Sequence, residues 1–444
     1  MRRTRLAREE SVEAARSEEN GETAPNGPGG ARRLPPRRRG GWRALAVWGP
    51  GVLAALADTD AGNVVTAAQS GEQWGYRLMP LLLLLTPALY MVQELTVRLG
   101  IYTGRGHGEL IRERFGTRWA VLSMTGLAVS TIGSLITEFT AVAGVGEMVG
   151  LAREQTLPIA AALLFCVVLS GTWRRIERVA LLIGLCELVF FYIAWAAHPH
   201  PATVVRHATD WPLGNRAFLW SAAGLIGAVF NPWMIFYQQA AVAPRHRQWD
   251  DYRAERRDTA VGAVLTQLLT TAVLVASAAI VLELHAAPRL ETIGDISAML
   301  SSTLGTEVGG LLFGVGVLGA SMVAAIVASL ALAGGVDEWA VGSGDGNGNA
   351  RGGRLDRWFV CTYATCVAGS AVLVWLVPDL VSLTVALQVV NTLMLPLVMG
   401  LLIALAVTVL PRRLRPRGAY LFALVAILLL VTVLGVVCAV AGAF

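Results

Sequence analysis

The sequence predicts an all-α membrane protein made of two inverted halves of five helices each, with one further helix at the C-terminal end. Of its 444 residues, 55% are hydrophobic and only 15% are charged, whereas soluble proteins carry about 25% charged residues. Apolar runs near the roughly 20 residues needed to cross a bilayer as a helix recur along almost the whole chain. The first and the sixth of these runs each carry a polar break in the middle.

This composition excludes several classes of protein. A soluble enzyme and a disulfide-stapled secreted domain both fit poorly with a mean hydropathy of +0.57. All 36 basic residues are Arg, in short clusters between apolar runs, so the net charge of +5 does not indicate a nucleic-acid partner. The five Cys lie inside apolar runs and are interpreted as small core residues. The lipid bilayer is the expected environment, and no oligomer is required.

The chain divides into a tail and a helical body. Residues 1–43 combine Arg, Glu, Gly and Pro with few aliphatic side chains, which predicts a disordered Arg-rich cytoplasmic tail. We expect the first repeat at 44–197, the inverted second repeat at 217–410 and an eleventh helix at 418–443. The eleven helices are predicted near 44–70, 77–98, 118–150, 156–172, 177–197, 217–243, 258–285, 306–341, 358–377, 380–410 and 418–443.

The distribution of Arg predicts the orientation. If the tail is cytoplasmic, 31 of the 36 Arg residues lie on the cytoplasmic side and five on the other side. Such an excess of positive charge marks cytoplasmic segments. We therefore expect a multi-pass protein of the plasma (cytoplasmic) membrane, with its N-terminus in the cytoplasm and its C-terminus outside. The Gly-rich residues 342–349 are interpreted as a flexible cytoplasmic connector.

The two polar breaks occupy matching positions in the two halves. The first break runs from 56 to 63 and contains Asp58, Asp60 and Asn63, and the second runs from 227 to 233. With five crossings per half, the second half enters the membrane upside down, and a matched pair of interrupted helices is typical of inverted-repeat transporters. Irregular backbone at this depth is tolerated only where protein or a water-filled cavity satisfies it, so both breaks should face one site.

The breaks offer only oxygen ligands. Asp60 and Asn63 supply a carboxylate and an amide oxygen beside a Gly, and Asn231 supplies a second amide oxygen on the opposite break. Pro232 lacks an N–H, which frees backbone carbonyls such as that of Ala228. Hard oxygen ligands around one or two acids suit Mg²⁺, Mn²⁺ or Ca²⁺.

The alternative interpretation places Asp58 and Asp60 in a short extracellular loop between two half-length segments. Each segment would then cross with about 12 residues, which is too short. An acid buried at the midplane costs at least about 2.5 kcal/mol, so Asp60 is a functional candidate. Asp58 is the weaker candidate. It lies two residues before Asp60, so the two acids cannot share one face of a regular helix. An unwound turn could nevertheless aim both side chains inward.

Several spaced motifs resemble one transporter family. The stretch Trp48-Gly49-Pro50-Gly51 before Asp60-Ala61-Gly62-Asn63, then Gln69-Ser70-Gly71 and 98–104, is similar to the start of the natural resistance-associated macrophage protein (NRAMP) family of divalent-metal transporters. The family's first-helix motif is Asp-Pro-Gly-Asn, here with Ala61 in place of Pro. Its sixth-helix motif Met-Pro-His corresponds to Asn231-Pro232-Trp233. Similarity continues at 137–139, 388–390 and 395–396, so that it covers roughly 44–443.

The resemblance implies a LeuT-like fold of five plus five inverted helices, with helices 1 and 6 broken and one extra helix. It also implies alternating access around a single ion near the midplane. The residues that carry over as metal ligands are Asp60, Asn63 and the Ala228 carbonyl, with Asn231 in the position of the family's Met. Further residues that could line the site are Asp58, Gln388, Asn391, Trp233 and Glu138.

The departures from the family pattern predict altered selectivity and coupling. The family's Met is a soft sulfur ligand that favours transition metals, and Asn231 offers oxygen instead, so selectivity against Mg²⁺ should be weakened or lost. Trp233 replaces a His implicated in the proton route and cannot titrate, and Leu135 stands where many members have an acid. Every His lies in or beside a predicted loop. This pattern resembles the NRAMP-related magnesium transporters, although a manganese carrier with an altered site fits as well.

The leading hypothesis is therefore a secondary transporter that imports Mg²⁺ or Mn²⁺ with weak or absent proton coupling, and without a cofactor. The alternative is a sodium-coupled carrier of a small organic solute on the same architecture. A membrane enzyme is not expected, because no cluster with catalytic spacing occurs within the helices. Gln388 and Asn391 lie three residues apart and share one helix face, which is typical of helix-to-helix hydrogen bonding and also places Gln388 where it could reach the ion.

Overall fold

The computed structural model describes residues 49–170, 173–243, 252–284, 290, 292–301, 306–341, 357–377 and 381–443. The predicted tail at 1–43 and the predicted connector at 342–349 lie outside these residues. The described part consists of helices and the short turns that join them, and it contains no strand. Its helices are α1 Pro50–Asp58, α2 Ala61–Trp74, α3 Met79–Thr103, α4 His107–Phe115, α5 Thr117–Met148, α6 Arg153–Ser170, α7 Trp173–Gly184, α8 Val189–Ala196, α9 Pro201–Ala208, α10 Arg216–Val229, α11 Pro232–Val242, α12 Tyr252–Leu284, α13 Ile293–Ser301, α14 Thr306–Val341, α15 Arg357–Leu376, α16 Val381–Val409 and α17 Gly418–Ala443.

Each of the eleven predicted segments coincides with a helix or a pair of consecutive helices. The first comprises α1 and α2, the fifth α7 and α8, and the sixth α10 and α11. Among the described residues, nine ranges are long and apolar enough to cross a membrane. One of these ranges, Ala61–Thr103, includes both α2 and α3. Helix α6, Arg153–Ser170, is not one of the nine. The chain is a multi-pass membrane protein.

Three short helices, α4, α9 and α13, were not predicted. They have 9, 8 and 9 residues and lie between the long helices. A search for apolar runs near 20 residues passes over such elements, because their polar and apolar residues are mixed. A second departure lies in the fifth predicted helix, where a 3₁₀ turn at Leu185–Leu188 separates α7 from α8.

The first break is built by local hydrogen bonding around Asp60. Helix α1 ends at Asp58, and the backbone N–H of Thr59 donates to the carbonyls of Ala55 and Leu56, both at 3.2 Å. Asp60 then adopts an extended conformation and caps α2, its side chain accepting from the N–H of Asn63. An Asp in this position satisfies one of the N–H groups that a helix leaves free at its N-terminus.

The second break depends on Pro232. Helix α10 ends at Val229, and Phe230 and Asn231 leave the helical conformation. Pro232 is the first residue of α11, a position where its missing N–H is not needed. Helix α10 packs against α16 and α17, while α2 contacts α5, α10 and α16. Both breaks therefore lie in the interior of the helix bundle.

Helix α1 is held tightly against α12. The carboxylate of Asp258 accepts from the N–H groups of Gly49 at 3.1 Å and Gly51 at 2.9 Å, and so caps the N-terminus of α1. A Cβ on Gly262 would lie 2.7 Å from the carbonyl oxygen of Gly51. Only a residue without a side chain permits this close approach of the two helices.

Candidate functional site

The amide of Asn231 joins the two breaks. Its Nδ2 lies 3.3 Å from Asp58 Oδ1, 3.4 Å from Asp60 Oδ2 and 3.1 Å from the carbonyl oxygen of Ala228. Asp58, Asp60 and Asn231 are completely buried. The structure thus brings Asp60 and Asn231 together, as the matched breaks predict. It also aims Asp58 at the same point, because the unwound turn at Thr59 removes the helical constraint that would separate the two acids.

Asn63 completes the arrangement around the first break. Its backbone N–H donates to Asp60 Oδ1 at 2.7 Å, and its side-chain Nδ2 donates to the carbonyl oxygen of Asp58 at 3.0 Å. Asn63 Oδ1 and Asp58 Oδ2 are buried acceptors with no hydrogen-bond partner among the described residues. Two buried oxygens with available lone pairs can accept a cation or its bound water.

Helix α16 contributes two further amides. Asn391 Nδ2 donates to Asn231 Oδ1 at 2.8 Å and to Gln388 Oε1 at 2.9 Å. The side chain of Gln388 lies directly against Gly62, where a Cβ would overlap its Nε2 and lie 3.2 Å from Asp60 Oδ1. Both amides thus lie beside the breaks, Asn391 against Asn231 and Gln388 against Gly62.

Glu138 and Trp233 are the other two predicted site residues near the breaks. Glu138 Oε2 accepts from the N–H of Ala61 at 3.2 Å, at the N-terminus of α2, where the helix dipole favours a negative charge. Trp233 is in the first turn of α11 and is completely buried, and its indole Nε1 has no hydrogen-bond partner among the described residues. Glu138 thus faces the first break from α5. Trp233 follows the second break and offers an indole N–H as a hydrogen-bond donor, but it has no titratable group.

The site offers carboxylate, amide and backbone carbonyl oxygens. Among the described residues no three His, Cys, Asp or Glu side chains come together in a geometry that could hold a metal. Any cation at the breaks would therefore depend on amide and carbonyl oxygens as well as on the two Asp carboxylates. Rotation of the Asn231 amide by half a turn would direct its Oδ1, in place of Nδ2, toward these carboxylates.

His107 is the one His in the described residues that is almost completely buried, with 1% of its surface exposed. It begins α4, and its Nδ1 lies 2.8 Å from Gln239 Oε1 on α11, while Gln239 Nε2 donates to the carbonyl of Arg105. Burial lowers the pKa of His107 to about 4, although the hydrogen bond to Gln239 opposes this shift. The imidazole is therefore neutral above pH 5 and ties α4 to α11.

Sequence reasoning assigned no role to Glu187. It lies in the 3₁₀ turn between α7 and α8, is completely buried, and interacts electrostatically with Glu138 and Asp60. The only signal in the sequence is an acid within an apolar run, which does not reveal the direction in which the side chain points.

Comparisons with known proteins place the chain in one family. The model of the natural resistance-associated macrophage protein-like family matches residues 51–441. A divalent metal cation transporter MntH from Ralstonia nicotianae is 29% identical over 65% of this chain and 68% of that protein. A second MntH, from Levilactobacillus brevis, is 30% identical over 44% of each chain. The aligned regions therefore cover 68% of the length of the first relative and 44% of the length of the second.

Solved structures confirm the predicted fold. The chain is similar to a manganese transporter from Eremococcus coleocola, crystallised with an aromatic bis-isothiourea substituted compound, with a TM-score of 0.71 at 17% identity over 90% of this chain and 88% of the other. It is also similar to MhsT in complex with L-phenylalanine, with a TM-score of 0.62 at 12% identity over 88% and 98% of the two chains. The predicted LeuT-like architecture with its broken helices is therefore correct. By the extent of the family match, the chain belongs to the natural resistance-associated macrophage protein-like family.

Proposed function

We propose that this protein is a secondary transporter that imports a divalent cation, Mg²⁺ or Mn²⁺, by alternating access. The observation that carries the proposal is the meeting of Asp58, Asp60 and Asn231 at the facing breaks of two inverted helices, completely buried. Buried acids in a membrane bundle mark ion pathways more often than structural contacts. The relatives named above as divalent metal cation transporters support the same substrate class.

The proposed ligands are Asp60, Asn63, Asn231 and the carbonyl oxygen of Ala228. Asp58 is proposed to supply the second carboxylate near the ion. Two carboxylates neutralise one divalent cation, and the unpartnered oxygens Asp58 Oδ2 and Asn63 Oδ1 accept either the ion or its water. Mg²⁺ requires six oxygens in an octahedron and retains part of its hydration shell. A site of oxygen atoms without sulfur satisfies that requirement and gives no preference to softer transition metals.

Weak or absent proton coupling forms part of the proposal. Trp233 carries no titratable group on α11, and Leu135 is a buried aliphatic residue one turn before Glu138 on α5. His107, the nearest buried imidazole in the described part, is neutral at physiological pH. These positions leave no pair of His and acid that could relay a proton along α5 and α11.

The proposed location is the plasma membrane, with the N-terminus in the cytoplasm and the C-terminus outside. The excess of Arg in the segments assigned to the cytoplasm supports this orientation. No resident cofactor or catalytic residue is proposed, since the metal ion is the substrate. A carrier of an organic carboxylate is disfavoured, because two buried Asp side chains already occupy the site and would repel the substrate.

Uptake into proteoliposomes tests the proposal. Mg²⁺, Mn²⁺ and Ca²⁺ would compete for entry while an internal dye reports pH, and we expect Mg²⁺ and Mn²⁺ to enter with little acidification. Asp60→Ala should abolish uptake, whereas the control Asp210→Ala, which removes an exposed partner of Arg77, should retain it. Uptake by Asp60→Ala at the wild-type rate would show that the site is misplaced.

A further inference from the structure

An apolar groove lies between α3 and α12 on the outer surface of the helix bundle. It has a volume of about 480 Å³, and its lining includes Leu83, Pro87 and Tyr90 of α3 and Ala260, Val264 and Leu268 of α12. Leu83, Val264 and Leu268 are exposed. Because the side chains of Pro87 and Ala260 are short, the groove stays open between two helices that otherwise pack against each other. Exposed apolar surface of this kind in a membrane protein contacts lipid.

Three Arg side chains lie on α12 at one end of this groove. Arg253 precedes Arg256 by three residues and Arg257 by four, so the three lie close together on one side of the helix. All three are exposed, and no ion pair recorded in the described part of the chain involves them. Ala260 and Val264 follow Arg256 at steps of four residues and continue the same face. One side of α12 therefore carries an Arg patch, residues 253, 256 and 257, followed by an apolar surface.

Arg256 connects the Arg patch to the groove. Its Nε donates to Tyr90 Oη at 2.7 Å, and Tyr90 lines the groove. This bond uses one of the five N–H donors of the guanidinium. The Nη groups of Arg256 make no hydrogen bond within the described residues. The guanidinium is therefore held beside the groove with donors available, in the planar arrangement that binds phosphate through two hydrogen bonds.

The acids near the Arg patch are engaged elsewhere. Asp258 accepts the N–H groups that begin α1. Glu94 forms an ion pair within α3 at 2.6 Å. Glu255 is almost completely buried, with 3% of its surface exposed, whereas the Arg patch is exposed. No acid of the described residues thus balances the positive charge of the patch.

The length of the groove matches the depth of one leaflet of a bilayer. From Arg256 to Leu268 an α-helix rises about 18 Å, and half of the hydrocarbon core is about 15 Å thick. A cationic group followed by an apolar groove of this length fits a molecule with an anionic head and an acyl chain. Basic pockets between membrane helices bind the head groups of anionic lipids. A soluble anion would leave the groove unfilled, and a zwitterionic lipid would leave the Arg patch unbalanced.

We propose that Arg256, together with Arg253 and Arg257, binds the phosphate of an anionic phospholipid whose acyl chain lies in the groove between α3 and α12. The site is independent of the proposed transport of Mg²⁺ or Mn²⁺, because none of its residues belongs to the proposed ligand set. The lipid links α3 to α12. Since α12 also caps α1 through Asp258, binding of the lipid stabilises the packing of all three helices.

Thermal stability of the purified, delipidated full chain in detergent tests the head-group contact. Phosphatidylglycerol and phosphatidylcholine with the same acyl chains are compared. We expect phosphatidylglycerol to raise the Tm by about 3 °C and phosphatidylcholine to leave it nearly unchanged. Arg256→Gln should lose this shift, and Arg256→Lys, which keeps the charge, should retain most of it. The matched control is Arg118→Gln, which removes an exposed Arg from the first turn of α5 and should retain the shift.

A second pair of variants tests the groove. Ala260→Trp fills the groove and leaves the Arg patch intact, so it should also lose the shift caused by phosphatidylglycerol. Val261→Trp is its control, because Val261 is exposed on the next position of α12 and does not line the groove. This control should retain the shift. Together the two pairs separate recognition of the head group from binding of the acyl chain.

Four results would overturn the proposal. An equal shift with phosphatidylcholine would show unspecific contact with lipid, and an equal shift with glycerol phosphate would show an anion site that does not use the groove. Full retention of the shift in Arg256→Gln or in Ala260→Trp would remove the Arg patch or the groove from the site. If a variant is too unstable to purify, hydrogen exchange of the wild type at 253–268 decides. Slower exchange with phosphatidylglycerol than with phosphatidylcholine supports the site, and equal exchange contradicts it.

Discussion

Replacement of Asn231 by Met should shift the ion preference of the transporter from Mg²⁺ toward Mn²⁺. In the present structure the amide Nδ2 contacts Asp58 and Asp60 at 3.3 and 3.4 Å, and Oδ1 accepts from Asn391 at 2.8 Å. Met supplies a thioether in place of these polar groups, which suits a transition metal better than Mg²⁺.

The size of the effect follows from the exchange of an oxygen ligand for sulfur. A polar contact to a charged partner contributes about 1.5–3 kcal/mol; Mg²⁺ loses that contact, whereas Mn²⁺ recovers part of it from the thioether, so the lower end of the range applies to the difference between the two ions. Because about 1.4 kcal/mol corresponds to a factor of ten, the ratio of Mg²⁺ to Mn²⁺ uptake should fall at least about tenfold.

Competitive uptake of the two ions into proteoliposomes measures this ratio directly. Asn231→Leu is the matched control, since it removes the amide and adds no sulfur; it should weaken uptake of both ions and leave their ratio close to that of the wild type. An unchanged ratio in Asn231→Met, with uptake still measurable, would refute our interpretation of this position.

Three further predictions concern packing, pH and helix capping. In Gly227→Ala the added Cβ would overlap the carbonyl oxygen of Gln388. The free energy of unfolding should therefore fall by about 1–3 kcal/mol, which would be measured as a lower Tm. The control is Gly400→Ala, whose added Cβ meets no atom within 4 Å and should leave the Tm nearly unchanged. Because the pKa of His107 is about 4 in the fold and near 6.5 when exposed, stability should fall as pH drops from 6.5 toward 4, by up to about 3 kcal/mol; His107→Gln should flatten this dependence, and an identical pH profile would contradict it. Asp258→Ala removes the cap of α1, at a cost of about 1 kcal/mol, and should speed amide hydrogen exchange at 51–56; unchanged exchange would show that the cap does not hold α1 in place.

Sequence reasoning located the long helices and both breaks because the signals are local. An apolar run of the right length is visible in the sequence, and Asp60 and Pro232 interrupt such runs with residues that cap or start a helix. The match between the two breaks also predicted that Asp60 and Asn231 would meet, since an inverted repeat leaves few other arrangements.

The remaining features depend on contacts between distant segments. Whether Asp58 points inward is decided by the conformation of Thr59, which the sequence does not specify. The cap that Asp258 places on α1 joins residues more than 200 positions apart. The direction of Glu187 follows from a 3₁₀ turn packed on Gly319, and no periodicity in the sequence reports such a turn.

The most direct test of the central claim is binding of Mn²⁺ and Mg²⁺ to Asp60→Asn by isothermal titration. The side-chain oxygen of Asn can still accept a hydrogen bond from the backbone N–H of Asn63 and so cap α2. The variant should therefore fold and keep its Tm. It lacks the charge that we assign to holding the ion. We predict binding of both ions by the wild type and none by the variant; wild-type affinity in a folded Asp60→Asn would contradict the account.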